Sequence, residues 1–410
     1  MSVVALKRVA TLRAGGTPSV ADREYWSEDG LPWVTIGDMT VSPVVTQTNR
    51  RVSAAGVRAA RLELGRPGTL LFAMYASLGE VAFLGISAAW NQAIVAIDPR
   101  ADLADSRFIR YALLAMRPTF SALARSNTQD NLNAEQVGNL QIPALPLEVQ
   151  RAIADFLDNE IVGIDLLIAK RQEMRVLLSA RIASFHEQWF SDLARRYTAV
   201  PLRRFLATLE QGWSPVCEAA VAEPSEWGVL KTSAVSSGRF IATENKRLPD
   251  DQPPHPRWRV SDGDLLMTRG SGSRTAVGQV AVASTDGRKL MISDLVYRLR
   301  LNRGEPEFMG EVLRSPQVRS LIEQAVRTDA GQTLKIRGDD IRGLPVPSVP
   351  TESQASATRE LHAFRSAPSR ALDTSGRQVA LLRERRQALI AAAVTGEIDV
   401  SSASGRGVPT

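Results

Sequence analysis

The sequence predicts an α+β protein in which two similar mixed α/β domains are separated by two long helices that form a coiled coil. Three observations predict it. The chain repeats itself after roughly two hundred residues, each copy closes in a proline-rich elbow, and each elbow leads into helical periodicity.

The repeat consists of three ordered matches. Thr11-Leu-Arg-Ala-Gly-Gly-Thr-Pro18 aligns with Thr208-Leu-Glu-Gln-Gly-Trp-Ser-Pro215. Pro67-Gly-Thr-Leu-Leu-Phe72 aligns with Asp262-Gly-Asp-Leu-Leu-Met267, and a Gly-x-Val follows at Gly79 and at Gly278. Val137-Gly-Asn-Leu-Gln-Ile-Pro-Ala-Leu-Pro146 aligns with Ile341-Arg-Gly-Leu-Pro-Val-Pro-Ser-Val-Pro350, with a glutamine four residues later in each, Gln150 and Gln354. Between the second and third matches lies a helical patch interrupted by proline, Phe108 to Leu123 around Pro118 and Phe308 to Leu321 around Pro316. Short apolar runs between Gly, Pro and Ser read as strands: 31–36, 69–74 and 93–97 in the first copy, 228–232, 264–268 and 295–300 in the second.

After the first elbow, Ile153, Leu157, Ile161, Ile164, Ile168, Met174, Leu178, Ile182, Phe185 and Trp189 fall mostly three or four residues apart with charges between them. That is one apolar stripe on a helix of about 40 residues, or ~60 Å. So long a helix needs a partner to cover its stripe. The partner is the C-terminal segment, clearest from Val379 to Val394 and ending at Thr395-Gly396, with glycine in the C-cap role. Pro368 and Gly376 disfavour helix by about 3 and about 1 kcal/mol, so a kink or break is expected within 366–377. The expected layout is a first domain over 1–148, a helix over 149–196, a second domain over 197–352, a distal helix over 353–398 and a flexible tail over 399–410.

Size and composition agree. The 410 residues suit two or three units. Hydrophobic residues at 44% and charged residues at 23% describe a folded chain, not a disordered one. The net charge of +6, carried mainly by arginine, favours an anionic partner. A single cysteine, Cys217, leaves no internal disulfide and no Cys-rich metal site. His186, His255 and His362 show no metal-ligand spacing. No signal core or membrane-length apolar run is present, so the expected location is the cytoplasm.

The segment from Ile142-Pro-Ala-Leu-Pro-Leu-Glu-Val-Gln-Arg151 to Glu160, continuing Ile164-Asp-Leu-Leu-Ile-Ala-Lys-Arg171, resembles the central conserved region of type I restriction specificity subunits. Leu382-Arg-Glu-Arg-Arg-Gln-Ala-Leu-Ile390 with Val394-Thr-Gly-Glu-Ile-Asp-Val400 resembles their distal conserved region, and Asn127-Thr-Gln-Asp-Asn-Leu132 resembles the polar stretch before the elbow. The resemblance covers nearly the whole chain and departs at Pro345, Pro368 and Gly376. It implies that the two long helices pack as an antiparallel coiled coil and hold two target-recognition domains with opposite orientation, each reading one half of a split site on double-stranded DNA. It further implies docking of two methyltransferase subunits that carry the S-adenosylmethionine chemistry, two ATP-dependent restriction subunits in a full complex, no cofactor on this chain and no membrane.

The residues themselves show no catalytic constellation. There is no phosphate-loop signature, no Asn/Asp-Pro-Pro-aromatic tetrapeptide (Asp98-Pro99 is followed by Arg100) and no paired-histidine motif. Pro249-Asp-Asp251 reads as a surface turn. The strongest DNA-contact candidate is Arg269-Gly-Ser-Gly-Ser-Arg274, where glycines let the backbone approach a phosphate and Arg269, Ser271, Ser273 and Arg274 supply donors. A flexible turn is its competing reading. The matching residues of the first copy are Tyr75 and Ser77. Asn127, Thr128, Gln129 and Asn131 could pair with adenine edges or simply turn the chain. Gln332, Thr333, Lys335 and Arg337 hold the equivalent place in the second copy, and Lys231 and Thr232 follow a strand. Trp33 and Trp227 read as core. Arg383, Arg385 and Arg386 read as solvated or subunit-facing. Two other readings stay open: a scaffold that pairs two α/β domains without reading DNA, and a divergent nuclease.

Overall fold

A computed structural model describes residues 2–75, 77–124, 131–328, 333–398 and 400. The tail expected over 399–410 therefore falls almost wholly outside the described residues. The chain divides into two compact units, Met1–Gln172 with Gly376–Thr410, and Glu173–Ser375. Each unit owns one globular part and a portion of each long helix.

In the first unit the main sheet runs Ala10–Ala14, Ile94–Pro99, Leu70–Ala73, Val81–Leu84, Val44–Val45. A second sheet runs Arg50–Val52, Trp26–Val34, Ala89–Trp90, with an antiparallel pair first and a parallel pair second. In the second unit the main sheet runs Leu206–Gln211, Val296–Leu301, Leu265–Thr268, Val280–Val282. Its second sheet runs Asn245–Arg247, Trp227–Leu230, Lys289–Met291, again antiparallel then parallel. The elbow of each unit is a strand, Gln141–Pro143 or Pro345–Pro347, paired antiparallel with the unit's opening strand, Val3–Ala5 or Ala199–Pro201. Among the described residues the main sheet, the second sheet and the elbow pair follow the same order in both units; the first unit adds the edge strand Val44–Val45, and the second adds a small sheet of Gly270–Ser271, Leu334–Lys335 and Arg327–Thr328. The first expected strand ends at Val34, because Thr35 caps a short helix that begins at Ile36.

The repeated residues have matching jobs. Gly15 and Gly212 stand where a Cβ would run into the carbonyl oxygens of Asn91 and Ile292. Gly79 (φ +80°) and Gly278 (φ +71°) are left-handed turns against Phe120 and Ile322. Gln150 Nε2 donates to the Leu145 carbonyl (2.8 Å) while its Oε1 accepts from the Asp105 amide (3.0 Å). Gln354 does the same with the Val349 carbonyl (2.8 Å) and the Glu305 amide (2.8 Å). Each elbow glutamine thus ties its long helix to its own domain by satisfying buried backbone groups.

The central helix runs Leu147–Arg196 and the distal helix Thr351–Thr395. In the first unit Ile153, Leu157 and Ile161 share a core with Ile390, Ala393 and Val394, and Arg386 Nε donates to Asp165 Oδ1 (2.8 Å). In the second unit Arg175 Nη1 donates to the Leu372 carbonyl (2.6 Å), Phe185 stacks on Phe364 at 3.6 Å, and Trp189 Nε1 donates to the Ala357 carbonyl (2.9 Å). Partner numbers fall as central-helix numbers rise, so the pairing is antiparallel.

The expected break within 366–377 does not occur, and one helix runs unbroken through Pro368 and Gly376. The covered positions explain why. Gln354, Thr358, Leu361, Arg365, Pro368, Leu372, Ser375, Val379, Leu382, Arg386, Leu389 and Ala393 are all buried or half-buried, in a strict alternation of four and three. That is a coiled-coil seam, and packing along it outweighs the local cost of proline. Pro118 likewise stays inside one helix, Ser106–Ala124, whereas Ser315 turns extended before Pro316 and splits Pro306–Arg314 from Pro316–Ala325. Among the described residues no helix is long and apolar enough to cross a membrane.

Candidate nucleic-acid interface

In the second unit a small sheet gathers several of the expected residues. Gly270–Ser271 pairs antiparallel with Leu334–Lys335, which pairs with Arg327–Thr328. Behind these strands, Arg269, Tyr297, Arg327, Thr328, Lys335, Ile336, Arg337 and Gly338 line a cavity of about 310 Å³. Arg269 is held in place: its Nε donates to Tyr297 Oη (3.2 Å) and its Nη1 to the Asp294 carbonyl (3.3 Å). Arg327 Nη2 pairs with Asp340 Oδ1 (3.3 Å), while Arg337 is exposed. Four cationic side chains thus line one opening, an arrangement suited to a phosphate or to a base acceptor edge.

The other expected residues scatter. Arg274 is exposed, but its Nη1 donates to the carbonyls of Glu323 (2.8 Å) and Val326 (3.1 Å), closing the end of helix Pro316–Ala325. Ser271 Oγ accepts from the Ser273 amide and Ser273 Oγ bonds Thr275 Oγ1 (2.9 Å), so both hydroxyls shape the turn. Thr333 is half-buried beside the cavity strands. Lys231 Nζ pairs with Glu244 (3.3 Å), whose carboxylate also accepts from Ser233 Oγ (2.5 Å) and is held below its usual range, chiefly by that hydroxyl. Lys231 and Thr232 line a second cavity of about 390 Å³ with Ser214, Cys217 and Lys246, and burial raises the Cys217 thiol.

In the first unit Tyr75 is half-buried against the main core, and the Ser77 carbonyl accepts from the Glu80 amide in a turn. Asn131 is half-buried. Asn127, Thr128, Gln129 and Gln332 lie outside the described residues. Trp33 is core, with its Nε1 donating to the Gly16 carbonyl (3.1 Å), whereas Trp227 is only half-buried.

Sequence reasoning missed Arg327 and Tyr297. It also missed a cavity of about 450 Å³ in the first unit, lined by Trp26, Glu28, Thr48, Asn49, Arg50 and Arg51 among others. A fourth repeat match would have found part of it: Asn49-Arg-Arg-Val52 corresponds to Asn245-Lys-Arg-Leu248. Among the described residues no cluster of three or more His, Cys, Asp or Glu is placed to hold a metal ion.

Residues 1–174 match the family model described as the type I restriction modification DNA specificity domain. The chain is 32% identical over 165 residues to the type I restriction enzyme EcoEI specificity subunit of Escherichia coli, covering 39% of this chain and 27% of that protein. It is 27% identical over 306 residues to the EcoKI specificity subunit of Escherichia coli strain K12, covering 69% and 63%. The chain thus spans less than two thirds of either relative. A chain from a structure titled for the assembly and conformational transition of the type I R-M system superposes with a TM-score of 0.59 at 16% identity, covering 97% of this chain and 98% of that one.

Proposed function

We propose that this chain is a type I restriction–modification DNA specificity subunit, as the match of residues 1–174 supports, and that it reads a two-part target on double-stranded DNA, one part per unit. The chain carries no chemistry of its own in this reading. It directs methylation by two docked methyltransferase subunits that bind S-adenosylmethionine, and cleavage where two ATP-driven restriction subunits join them, in the cytoplasm where the DNA lies.

The observation that carries the reading is the duplication itself. Two units that share the order of their main and second sheets carry different side chains at their loops, and only the second is described with a third, small sheet, which is what a protein needs to apply one binding geometry to two different sequences. Phosphate contacts would supply affinity that falls with salt, and base-edge contacts would supply the choice of sequence. The cation-lined opening at Arg269, Arg327, Lys335 and Arg337 is the reading surface of the second unit in this proposal.

Long-read mapping of methylated bases in cells with and without this chain tests it. The expected result is a motif of two parts with a fixed gap, present only with the chain. An unchanged methylation pattern sinks the proposal.

A further inference from the structure

The fourth repeat match has a consequence at the level of register. In the first unit Trp33 lies opposite Arg50 and Pro32 opposite Arg51. In the second, Val229 lies opposite Lys246 and Gly228 opposite Arg247. Arg50-Arg51 and Lys246-Arg247 therefore occupy the same positions on corresponding edge strands, and with the preceding asparagines, Asn49 and Asn245, they form matching triplets.

The outer members of both triplets are spent on the fold. Asn49 Nδ2 donates to Asp38 Oδ1 (2.8 Å), and Asn245 Nδ2 donates to the Ala242 carbonyl (2.8 Å) while its Oδ1 accepts from the Ala222 amide (2.9 Å). Arg51 Nη1 donates to the Gly30 carbonyl (3.0 Å), and Arg247 pairs with Glu218 (2.9 Å), Glu226 (2.9 Å) and Asp250 (3.1 Å). The middle members differ. Among the described residues neither Arg50 nor Lys246 forms an ion pair, although Glu28 lines the same cavity as Arg50. Arg50 lies over the Trp26 ring at 3.6 Å, which fixes the guanidinium plane at the opening, and Lys246 is exposed at the mouth of its cavity.

We propose that Arg50 and Lys246 are equivalent phosphate-contacting residues, one in each unit, each holding a backbone phosphodiester of the bound duplex. This rests on the DNA-reading function proposed above. A residue that reads bases has to differ between units that read different sequences. A phosphate contact carries no sequence information, so the same charge serves at the same register in both. Lysine can replace arginine there because a point charge suffices, whereas a bidentate base contact would not survive the exchange.

The test uses the full chain assembled with its methyltransferase partner. Affinity for a duplex carrying the target and for an unrelated duplex is measured between 50 and 200 mM salt for the wild type, Arg50→Gln, Lys246→Gln, Arg50→Lys and Lys246→Arg, and the methylated motif is mapped for each. Each Gln variant is expected to flatten the slope of log affinity against log salt by about 0.9, to weaken both duplexes by the same factor and to leave the motif unchanged, while the conservative variants keep the wild-type slope. An unchanged slope, an altered motif, or conservative variants as weak as the Gln variants overturn this assignment while leaving the DNA-reading function standing. A wild-type complex that binds both duplexes equally overturns the reading function itself, and the assignment with it.

Discussion

Glu311 is fully buried on helix Pro306–Arg314, yet it is charged. Its Oε1 accepts from Arg314 (2.8 Å), His362 (2.8 Å) and Arg365 (2.7 Å), and its backbone carbonyl meets His186 Nε2 (2.9 Å). Burial alone would raise this carboxyl, but Arg314 and Arg365 outweigh it and bring it down to about 2 from an ordinary 4.5. A depressed folded-state pKa stabilises the fold above the unfolded value and loses that contribution as pH falls from about 4.5 toward 2, on the order of 3 kcal/mol. Burial also lowers His186, with Glu311, Arg365 and Arg314 facing it, so stability declines further as pH drops below the ordinary histidine range. Thermal unfolding against pH should show both losses. Glu311→Gln should remove the acid-side part and, by stranding two guanidinium groups, cost roughly 3 kcal/mol near neutral pH. A variant as stable as wild type would refute the role. At Gly15 and Gly212 the constraint is steric, and Gly15→Ala or Gly212→Ala should destabilise by about 1–3 kcal/mol in urea unfolding, since backbone carbonyls leave no room for a Cβ.

The distal helix shows tertiary packing overruling propensity. Its seam carries Gln354, Thr358, Arg365, Pro368 and Ser375 where an apolar stripe was sought, so the first half of the helix is nearly silent to hydrophobic periodicity. The central helix, with Ile153, Leu157 and Ile161 on its seam, announces itself. Proline inside the helix removes one backbone hydrogen bond at a cost of about 3 kcal/mol. Pro368→Ala should therefore stabilise the fold by about 1–3 kcal/mol in urea unfolding, because the helix is continuous through that turn. A loss of stability would show that the half-buried proline ring fills the seam better than a methyl group.

Across the whole molecule, duplication predicts divisible specificity. Substituting Lys335 and Arg337 by glutamine should relax one half of the methylated motif and leave the other half intact. Exchanging residues 197–352 for the corresponding part of another family member should replace that half outright. Motif mapping reads both, and a change in both halves at once would argue against one unit reading one half.

The strands at 70–73 and 265–268, the elbow glutamines and the two long helices were legible because repeats, apolar periodicity and turn glycines are local signals that survive in one dimension. The residue sequence alone was therefore enough for the two-unit architecture and for the resemblance to specificity subunits. The contact surface was far less legible. Arg269 and Arg274 look alike in the sequence, but one lines an opening while the other closes a helix end fifty residues away. Arg50 and Arg51 are neighbours, yet among the described residues only the Arg51 side chain donates to a carbonyl of its own fold. Whether a cation is spent inside the fold or left for a partner depends on which distant carbonyls and carboxylates reach it. Those distances exist only once the chain has folded.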